Sequence, residues 1–322
     1  MMPWVLSGLG LLILLLAGDA LVKGAVNLSL RVGIPALIVS LTIVAFGTSA
    51  PELLISVNAV LDDKPGLALG NVIGSNTANI LLVLGIPALL SVLHTSHFET
   101  RKTYNFMIAG SVLFIALAFR GTFDWIAGLI LLAALFYVLF DAFRDAHAHR
   151  KAANGAAMAL AAESEEDVEG ADPDMPWWQI IVFLVLGLVG LPLGADLLVD
   201  NASIIATRYG ISESVIGLTL VALGTSLPEL ATTVMAALRK QADVALGNVI
   251  GSNMFNLLAI IGITTLVGEI PVDPGFLIFD LWVMLAASLL IIPFVYFKQD
   301  ITRIWGIGLT ALYLVYVFTV LS

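Results

Sequence analysis

Two glutamates lie in strongly apolar stretches of this 322-residue chain, each within the same short pattern of oxygen-bearing side chains. Glu52 ends the sequence GTSAPE and Glu229 ends the sequence GTSLPE, so a Thr–Ser pair and a proline come shortly before each carboxylate. A carboxylate inside an apolar helix is costly, and it usually marks a functional site. Because the pattern occurs twice, helix packing alone explains the two glutamates poorly.

The prolines of these patterns should bend the helices that carry the glutamates. Pro51 has no amide hydrogen, and its ring crowds the carbonyl of Gly47 four residues earlier. The same holds for Pro228 and Gly224. Carbonyls freed in this way near the membrane midplane are tolerated only where they face a polar cavity or a cation. A simple proline kink would explain one copy of the pattern, but it explains two copies less well.

A second polar pattern, GNVIGSNxxN, opens the apolar stretch that follows each glutamate. Ser75 and Asn79 are four residues apart, as are Ser252 and Asn256, so each pair lies on one face of a helix. Each serine comes 23 residues after its glutamate, which lets a helix end, turn and return to a similar depth. We expect these side chains to be ligands, and hydrogen bonding between helices is the alternative.

The pooled side chains are hard oxygen ligands. The chain has no cysteine, and its four histidines fall in polar connecting segments, which excludes thiolate sites and intramembrane imidazole sites. Two carboxylates with several neutral oxygens suit Ca²⁺, whose charge they balance, and the same oxygens could hold more than one Na⁺. Competition of the two ions for shared ligands is a sufficient physical basis for exchanging one ion for the other, because neither can occupy the full site while the other does. The candidate ligands are Glu52, Glu229, Thr48, Ser49, Thr225, Ser226, Ser75, Asn79, Ser252 and Asn256.

The elements that position these ligands are predicted to be membrane-spanning helices. The chain is 60% hydrophobic and only 12% charged, and its mean hydropathy is +1.03. These values exclude a soluble globular fold and predict an all-α integral membrane protein. About ten transmembrane helices are expected, at residues 4–27, 35–60, 66–92, 103–119, 124–143, 177–203, 212–237, 244–267, 275–297 and 303–321.

The chain is an internal duplication. Residues 41–85 align without a gap with residues 218–262 at an offset of 177, and Asp19 aligns with Asp196 at the same offset. We therefore expect two five-helix repeats, at residues 1–143 and 176–322. Because five is an odd number, the second repeat must be inverted in the membrane. Asp19 and Asp196 are expected near helix ends, paired or solvated, with an ion pathway as the alternative.

Residues 144–175 are predicted to be a polar linker between the repeats. Seven acidic residues lie between positions 163 and 174, and without them the net charge of −10 would be −3. A solvated tether is the expected role, and calcium sensing is the alternative. Ten Lys and Arg residues lie on the linker's side of the predicted membrane and three on the other. This distribution predicts a multi-pass protein of the cell (inner) membrane, with a cytoplasmic linker and both termini outside.

The paired motifs GTSAPE with GSNTAN, and GTSLPE with GSNMFN, resemble the α1 and α2 repeats of the calcium/cation antiporter superfamily, specifically the prokaryotic sodium/calcium exchangers. The match covers about 45 residues in each half. The resemblance implies exchange of calcium for sodium by alternating access, with sliding of the first and sixth helices. It also implies that the ligands include the backbone carbonyls of Ala45 and Ala222.

Other counter-ions and classes of protein stay open at this point. Some members of the superfamily, with a pattern like that of potassium-dependent exchangers, carry Asp where this chain has Asn256, so the asparagine argues against potassium co-transport. Proton/calcium exchangers usually show Gly-Asn-x-x-Glu where this chain has Gly-Thr-Ser-x-Pro-Glu, so the motif favours sodium over the proton as the counter-ion. A passive cation channel is a remote alternative. An enzyme is not expected, since no HExxH or Ser/His pattern lies in a span. No cofactor is expected. The expected partners are calcium and sodium ions and the bilayer, and nothing indicates a nucleic acid or an obligatory protein partner.

Overall fold

The computed structural model describes residues 2–95, 100–152, 171–210 and 222–321, and these residues are predominantly helical. The described helices of the first half, up to residue 152, are α1 (Met2–Val32), α2 (Ala36–Val39), a π-helical turn (Ser40–Val44), α3 (Ala45–Thr48), α4 (Ala50–Leu61), α5 (Pro65–Leu81), α6 (Gly85–Leu90), α7 (Arg101–Ala118) and α8 (Trp125–Ala152). The short strand β1 (Thr122–Phe123) precedes α8.

The described residues of the second half begin with a long helix at residue 177. The described helices of this half are α9 (Trp177–Arg208), α10 (Ala222–Gly224), α11 (Leu227–Leu238), α12 (Ala242–Met254), a π-helical turn (Phe255–Ile260), α13 (Ile261–Val267), a second π-helical turn (Phe276–Asp280), α14 (Leu281–Leu289), α15 (Ile292–Tyr296) and α16 (Arg303–Leu321). Strand β2 (Ile270–Pro271) lies between α13 and the second turn.

Seven helical segments among the described residues are long and apolar enough to cross a bilayer, and the bent segment from Ala36 to Leu61 would make eight. The chain is therefore an all-helical membrane protein, as its composition predicts. The two further predicted spans are represented by α7, which begins with two basic residues, and by α10 and α11. Residues 211–221, which cover most of the first half of the latter span, lie outside the described part. The count of ten stays a prediction.

The helices that carry the GNVIGSN motifs form the centre of the molecule. In the span Pro65–Leu90, 83% of an apolar stretch of 18 residues is buried, and in the span Ala242–Val267 the buried share of such a stretch is 89%. The outermost span, Arg303–Val320, has only 17% buried, because its apolar side chains face lipid. The duplicated motifs therefore lie at the core, away from the lipid-facing surface.

The long helices α1 and α9 pack closely along each other through glycines. A Cβ atom added at Gly10 would lie 2.6 Å from the backbone nitrogen of Leu198, and one at Gly194 would lie 2.8 Å from that of Leu14. Any larger side chain would push the two backbones apart, so these glycines permit the close approach. The α1–α9 pair contacts the bent helices of the site chiefly through α11.

Two backbone pairings between the halves involve nearly equivalent positions, each time with one partner from each half. Strand β1 pairs antiparallel with β2, so that Phe123 faces Ile270, and Leu93 pairs with Ile301 in an isolated bridge. Leu93 is the repeat equivalent of Ile270, and Ile301 lies one residue from the equivalent position of Phe123. A pseudo-twofold arrangement of the two repeats accounts for this pattern.

The helix α8 is longer than its predicted span. It continues to Ala152 and so includes residues 144–152, which the sequence analysis assigned to the linker. The hydropathy pattern marks where the apolar stretch ends, whereas the helix continues through residues of good helix propensity such as alanine and arginine.

Candidate cation-binding site

The helices carrying both glutamates break where the prolines predict. The axes of Ala36–Thr48 and Ala50–Leu61 differ by 41°. Ser49 lies at the break with φ −85° and ψ 0°, and Ser226 takes φ −89° and ψ 1° at the equivalent break between α10 and α11. Each proline therefore opens a new helix whose first turn carries the glutamate. The predicted bend is confirmed in the first half, and the second half has a helix break at the equivalent position.

Both glutamates are fully buried, at 0% exposure. The Oε1 atom of Glu229 accepts hydrogen bonds from the Ser49 hydroxyl at 3.3 Å and the Ser252 hydroxyl at 3.4 Å. Neither carboxylate oxygen of Glu52 has a hydrogen-bond partner, and the Oε2 atom of Glu229 has none either. The two equivalent carboxylates thus have unequal surroundings.

Four more predicted ligands are buried with unpartnered oxygen atoms, on or next to helices that contact those of the two glutamates. The hydroxyl oxygens of Ser75 and Ser226 have no hydrogen-bond partner, nor do the side-chain carbonyl oxygens of Asn79 and Asn256. Each of these four residues is at most 4% exposed. Buried polar atoms are nearly always hydrogen-bonded, so such a concentration of free oxygens calls for a ligand.

The predicted threonine and alanine ligands take part in contacts already. The Thr48 hydroxyl lies 3.3 Å from the Ala45 carbonyl oxygen and 3.4 Å from the Ser252 hydroxyl. The Ala45 carbonyl also accepts the Ser49 amide at 3.0 Å. Thr225 is buried at the equivalent bend. The Ala222 backbone begins α10, and its side chain lies outside the described part.

Two asparagines not chosen from the sequence, Asn71 and Asn248, hold the halves together at the site. Thr48 donates its hydroxyl proton to the Oδ1 atom of Asn248 at 3.3 Å, and Thr225 donates to Asn71 at 3.4 Å. The amide of Asn71 donates to the Glu52 carbonyl at 3.4 Å, and that of Asn248 to the Glu229 carbonyl at 3.5 Å. Each asparagine therefore joins the glutamate-bearing turn of its own half to the threonine of the other half.

A second missed pair lies where the central helices cross. The Asn76 amide donates to the backbone carbonyl of Asn253 at 3.1 Å, and the Asn253 amide donates to the Asn76 carbonyl at 3.4 Å. The Oδ1 atom of Asn253 also accepts the Asn79 amide at 3.1 Å. Identity of these residues in both copies of GNVIGSN is the signal that could have identified them.

The donor set fits a hard cation. No cluster of three or more His, Cys, Asp or Glu residues occurs among the described residues, so charge comes from the two glutamates and the remaining ligands are neutral oxygens. Burying a carboxylate without a donor or a counter-charge costs several kcal/mol. A cation between Glu52 and Glu229 would offset this cost, and it would be bound as a transported substrate.

The repeat-related aspartates have different environments. The Oδ1 atom of Asp19 on α1 is 2.6 Å from the Nε atom of Arg239, which follows α11. Asp196 and Asp200 on α9 instead line a cavity of about 190 Å³, which Thr225 and Pro51 also line. Both aspartates lie in the interior of α1 and α9, so the expectation that they lie near helix ends was wrong. Asp19 is paired as expected, whereas Asp196 lies beside a cavity that reaches a residue of the site.

The fold and the buried oxygen atoms define a multi-pass membrane protein with polar groups in its core, and comparison with known proteins gives the family. Residues 2–143 and 179–322 match the family profile described as sodium/calcium exchanger protein. The chain belongs to this sodium/calcium exchanger family.

Individual relatives match over most of their length. The chain is 34% identical to the sodium/calcium exchanger MaX1 of Methanosarcina acetivorans, covering 96% of this chain and 95% of MaX1. It is 35% identical to the inner membrane protein YrbG of Escherichia coli, covering 87% and 85%. The structure of the sodium-calcium exchanger NCX_Mj soaked with 2.5 mM Na⁺ and 1 mM Sr²⁺ matches with a TM-score of 0.82 and 30% identity, over 98% of both chains.

Proposed function

We propose that this protein exchanges calcium for sodium across the cell membrane by alternating access to the site between Glu52 and Glu229. The observation that carries the proposal is that the two buried carboxylates and the unpartnered buried oxygens of both halves lie on helices that pack against one another. Two carboxylates neutralise one Ca²⁺, and the surrounding hydroxyl and amide oxygens supply the further ligands that Ca²⁺ requires.

In this proposal the ligands are those predicted from the sequence. Glu52 and Glu229 supply the charge, and neutral oxygens come from both halves. They are the side chains of Thr48, Ser49, Thr225, Ser226, Ser75, Asn79, Ser252 and Asn256, together with the carbonyls of Ala45 and Ala222. Sodium ions compete for the same oxygens, so that one kind of ion leaves as the other binds. This competition couples the two fluxes.

The sharing of ligands between the halves supports alternating access. Ser49 of the first half contacts Glu229 of the second, and Thr48 contacts Ser252. A relative movement of the halves that opened one side of the site would separate these contacts and change the coordination. Inverted repeats provide two such arrangements of similar energy, one open to each side of the membrane.

The proposed orientation has a cytoplasmic linker and both termini outside, in the inner membrane. It rests on the ten basic residues on the linker side against three on the other. The chain has no cysteine, so single introduced cysteines can report on each side without background labelling. A membrane-impermeant thiol reagent added outside intact cells should label Gly210→Cys and leave Gln299→Cys unlabelled; the reverse pattern would invert the topology.

Removal of one carboxylate tests the ligand assignment. Glu52→Gln and Glu229→Gln should each lower calcium affinity by about two orders of magnitude, since the site loses half its charge. Calcium binding to the purified protein is the measurement. The matched control is Glu269→Gln, which removes an exposed carboxylate after α13. Unchanged binding in either site variant, with a monodisperse protein, would contradict the assignment.

A further inference from the structure

A second cavity lined by described residues lies away from the cation site. It has a volume of about 770 Å³ and lies between α7 and the segment formed by α14 and α15. The segment is interrupted after Leu289, and α15 starts at Ile292 with Pro293 in its first turn. This interruption contributes to the groove between the two elements.

The walls of this groove are apolar and its mouth is polar. Ile108 and Ala109 of α7 face Leu289 and Ile292 across it. Arg101, the first residue of α7, lies at the mouth and is exposed. Eight residues of helix separate Arg101 from Ala109, a rise of about 12 Å from the mouth into the groove. The groove therefore has a charged end and an apolar interior, which matches the order of headgroup and acyl chains in a lipid molecule.

Among the described residues, the arginine at the mouth has no carboxylate partner and is held by a backbone carbonyl and an aromatic ring. Its guanidinium donates to the Tyr296 carbonyl at 3.0 Å and lies 5.6 Å from the centre of the Tyr296 ring. The Tyr296 hydroxyl in turn donates to Asn105 at 2.5 Å. The neighbouring Lys102 differs, because its ammonium group contacts two carboxylates, those of Asp141 and Asp145. In the described part of the chain no carboxylate pairs with Arg101.

The geometry points to a binding site for an anionic phospholipid in this groove. The helices around it expose apolar side chains to the bilayer, so a groove there is filled by lipid chains. A guanidinium at the interface, without a carboxylate partner among the described residues, favours a phosphate and an anionic headgroup, through charge and through paired N–H donors. The polar face that holds Arg101 also carries most of the basic residues, which is the face where anionic lipids are attracted.

Lipid retention by the purified full chain tests this site. The protein is exposed to equal amounts of phosphatidylglycerol and phosphatidylcholine, and the bound lipids are counted by native mass spectrometry. We expect a preference for phosphatidylglycerol, which Arg101→Gln should lower by about fivefold. Ala109→Phe, which fills the groove, should reduce retention of both lipids.

Two matched variants separate this site from general effects. Arg303→Gln removes an exposed charge from the start of α16, and Ala116→Phe adds a ring to an exposed position of α7 outside the groove. Both should behave as the unchanged protein. Equal losses in Arg303→Gln and Arg101→Gln would show a general charge effect and overturn the site. Unchanged lipid retention in Arg101→Gln or Ala109→Phe would overturn it as well.

Discussion

The crossing of the two central helices gives a prediction that sequence symmetry alone does not. Asn76 and Asn253 occupy the same place in the repeat, and each is 1% exposed. The side chain of Asn76 makes one hydrogen bond, to the carbonyl of Asn253. The side chain of Asn253 makes two, one to the carbonyl of Asn76 and one from Asn79. The two alanine variants should therefore differ in stability.

The expected difference follows from counting these bonds. An interhelical hydrogen bond in a membrane protein contributes about 0.6 kcal/mol on average and up to about 1.7 kcal/mol. Asn76→Ala loses one bond and should lower the free energy of unfolding by about 1 kcal/mol, and Asn253→Ala should lower it by about 2 kcal/mol. Both substitutions delete the same atoms at equally buried sites, so the cost of the cavity largely cancels in the comparison.

Steric trapping of the unfolded protein in bicelles measures both free energies under one condition. Asn253→Ala should be the less stable variant. Asn253→Ala should also weaken calcium binding more than Asn76→Ala. The reason is that the proposed ligand Asn79 would lose the hydrogen bond from its side-chain amide to the Oδ1 atom of Asn253. Equal destabilisation by the two substitutions, or a larger effect of Asn76→Ala, would refute the reasoning.

Three further predictions concern packing, an ion pair and pH. Gly251→Ala would place a Cβ atom 2.5 Å from a facing backbone oxygen and should lower the free energy of unfolding by about 1–3 kcal/mol. The control Gly308→Ala has no atom within 4 Å of the added Cβ and should leave the free energy of unfolding unchanged or raise it slightly. Thermal unfolding of both variants measures the difference. Asp19→Asn and Arg239→Gln should each cost about 1 kcal/mol, and a charge-exchanged double variant should recover part of this loss in the same assay; additive losses in the double variant would contradict a direct pair. A backbone amide and an arginine hold the pKa of Asp124, before α8, below its usual range, so its contribution to stability is present above about pH 4 and is lost as the pH falls through the folded-state pKa. The stability advantage of the unchanged protein over Asp124→Asn should accordingly shrink as the pH falls from about 5 to about 3, a range centred near the ordinary carboxyl pKa. Unfolding titrations at these pH values measure the advantage, and a constant advantage would contradict this reasoning.

The positions of the bends could be predicted from the sequence because their cause is local. Pro51 and Pro228 each lack an amide hydrogen, and the effect on the preceding turn does not depend on the rest of the fold. The contact of Ser49 with Glu229 of the other half agrees with the sequence prediction, because duplicated motifs in an inverted repeat would meet near a pseudo-twofold axis. Both expectations needed only the repeat and the chemistry of single residues.

The partners of the asparagines depend on the packing of distant helices and could not be predicted in the same way. Asn71 and Asn248 are polar residues in apolar helices, and the sequence does not show that their amides meet a backbone carbonyl of the glutamate turn. The unequal surroundings of Glu52 and Glu229 are a further example. The two motifs are nearly identical, so a difference between them arises from the relative placement of the two halves.

The central claim is that the flux of calcium is coupled to sodium at this site, and calcium uptake into proteoliposomes tests it most directly. Vesicles containing the full chain are loaded with sodium and diluted into sodium-free buffer at matched pH, with potassium-loaded vesicles and Glu229→Gln vesicles as controls. The account predicts uptake that requires internal sodium and is lost in both controls. Uptake that is absent with sodium but driven by an imposed pH gradient would contradict sodium coupling and make the proton the counter-ion.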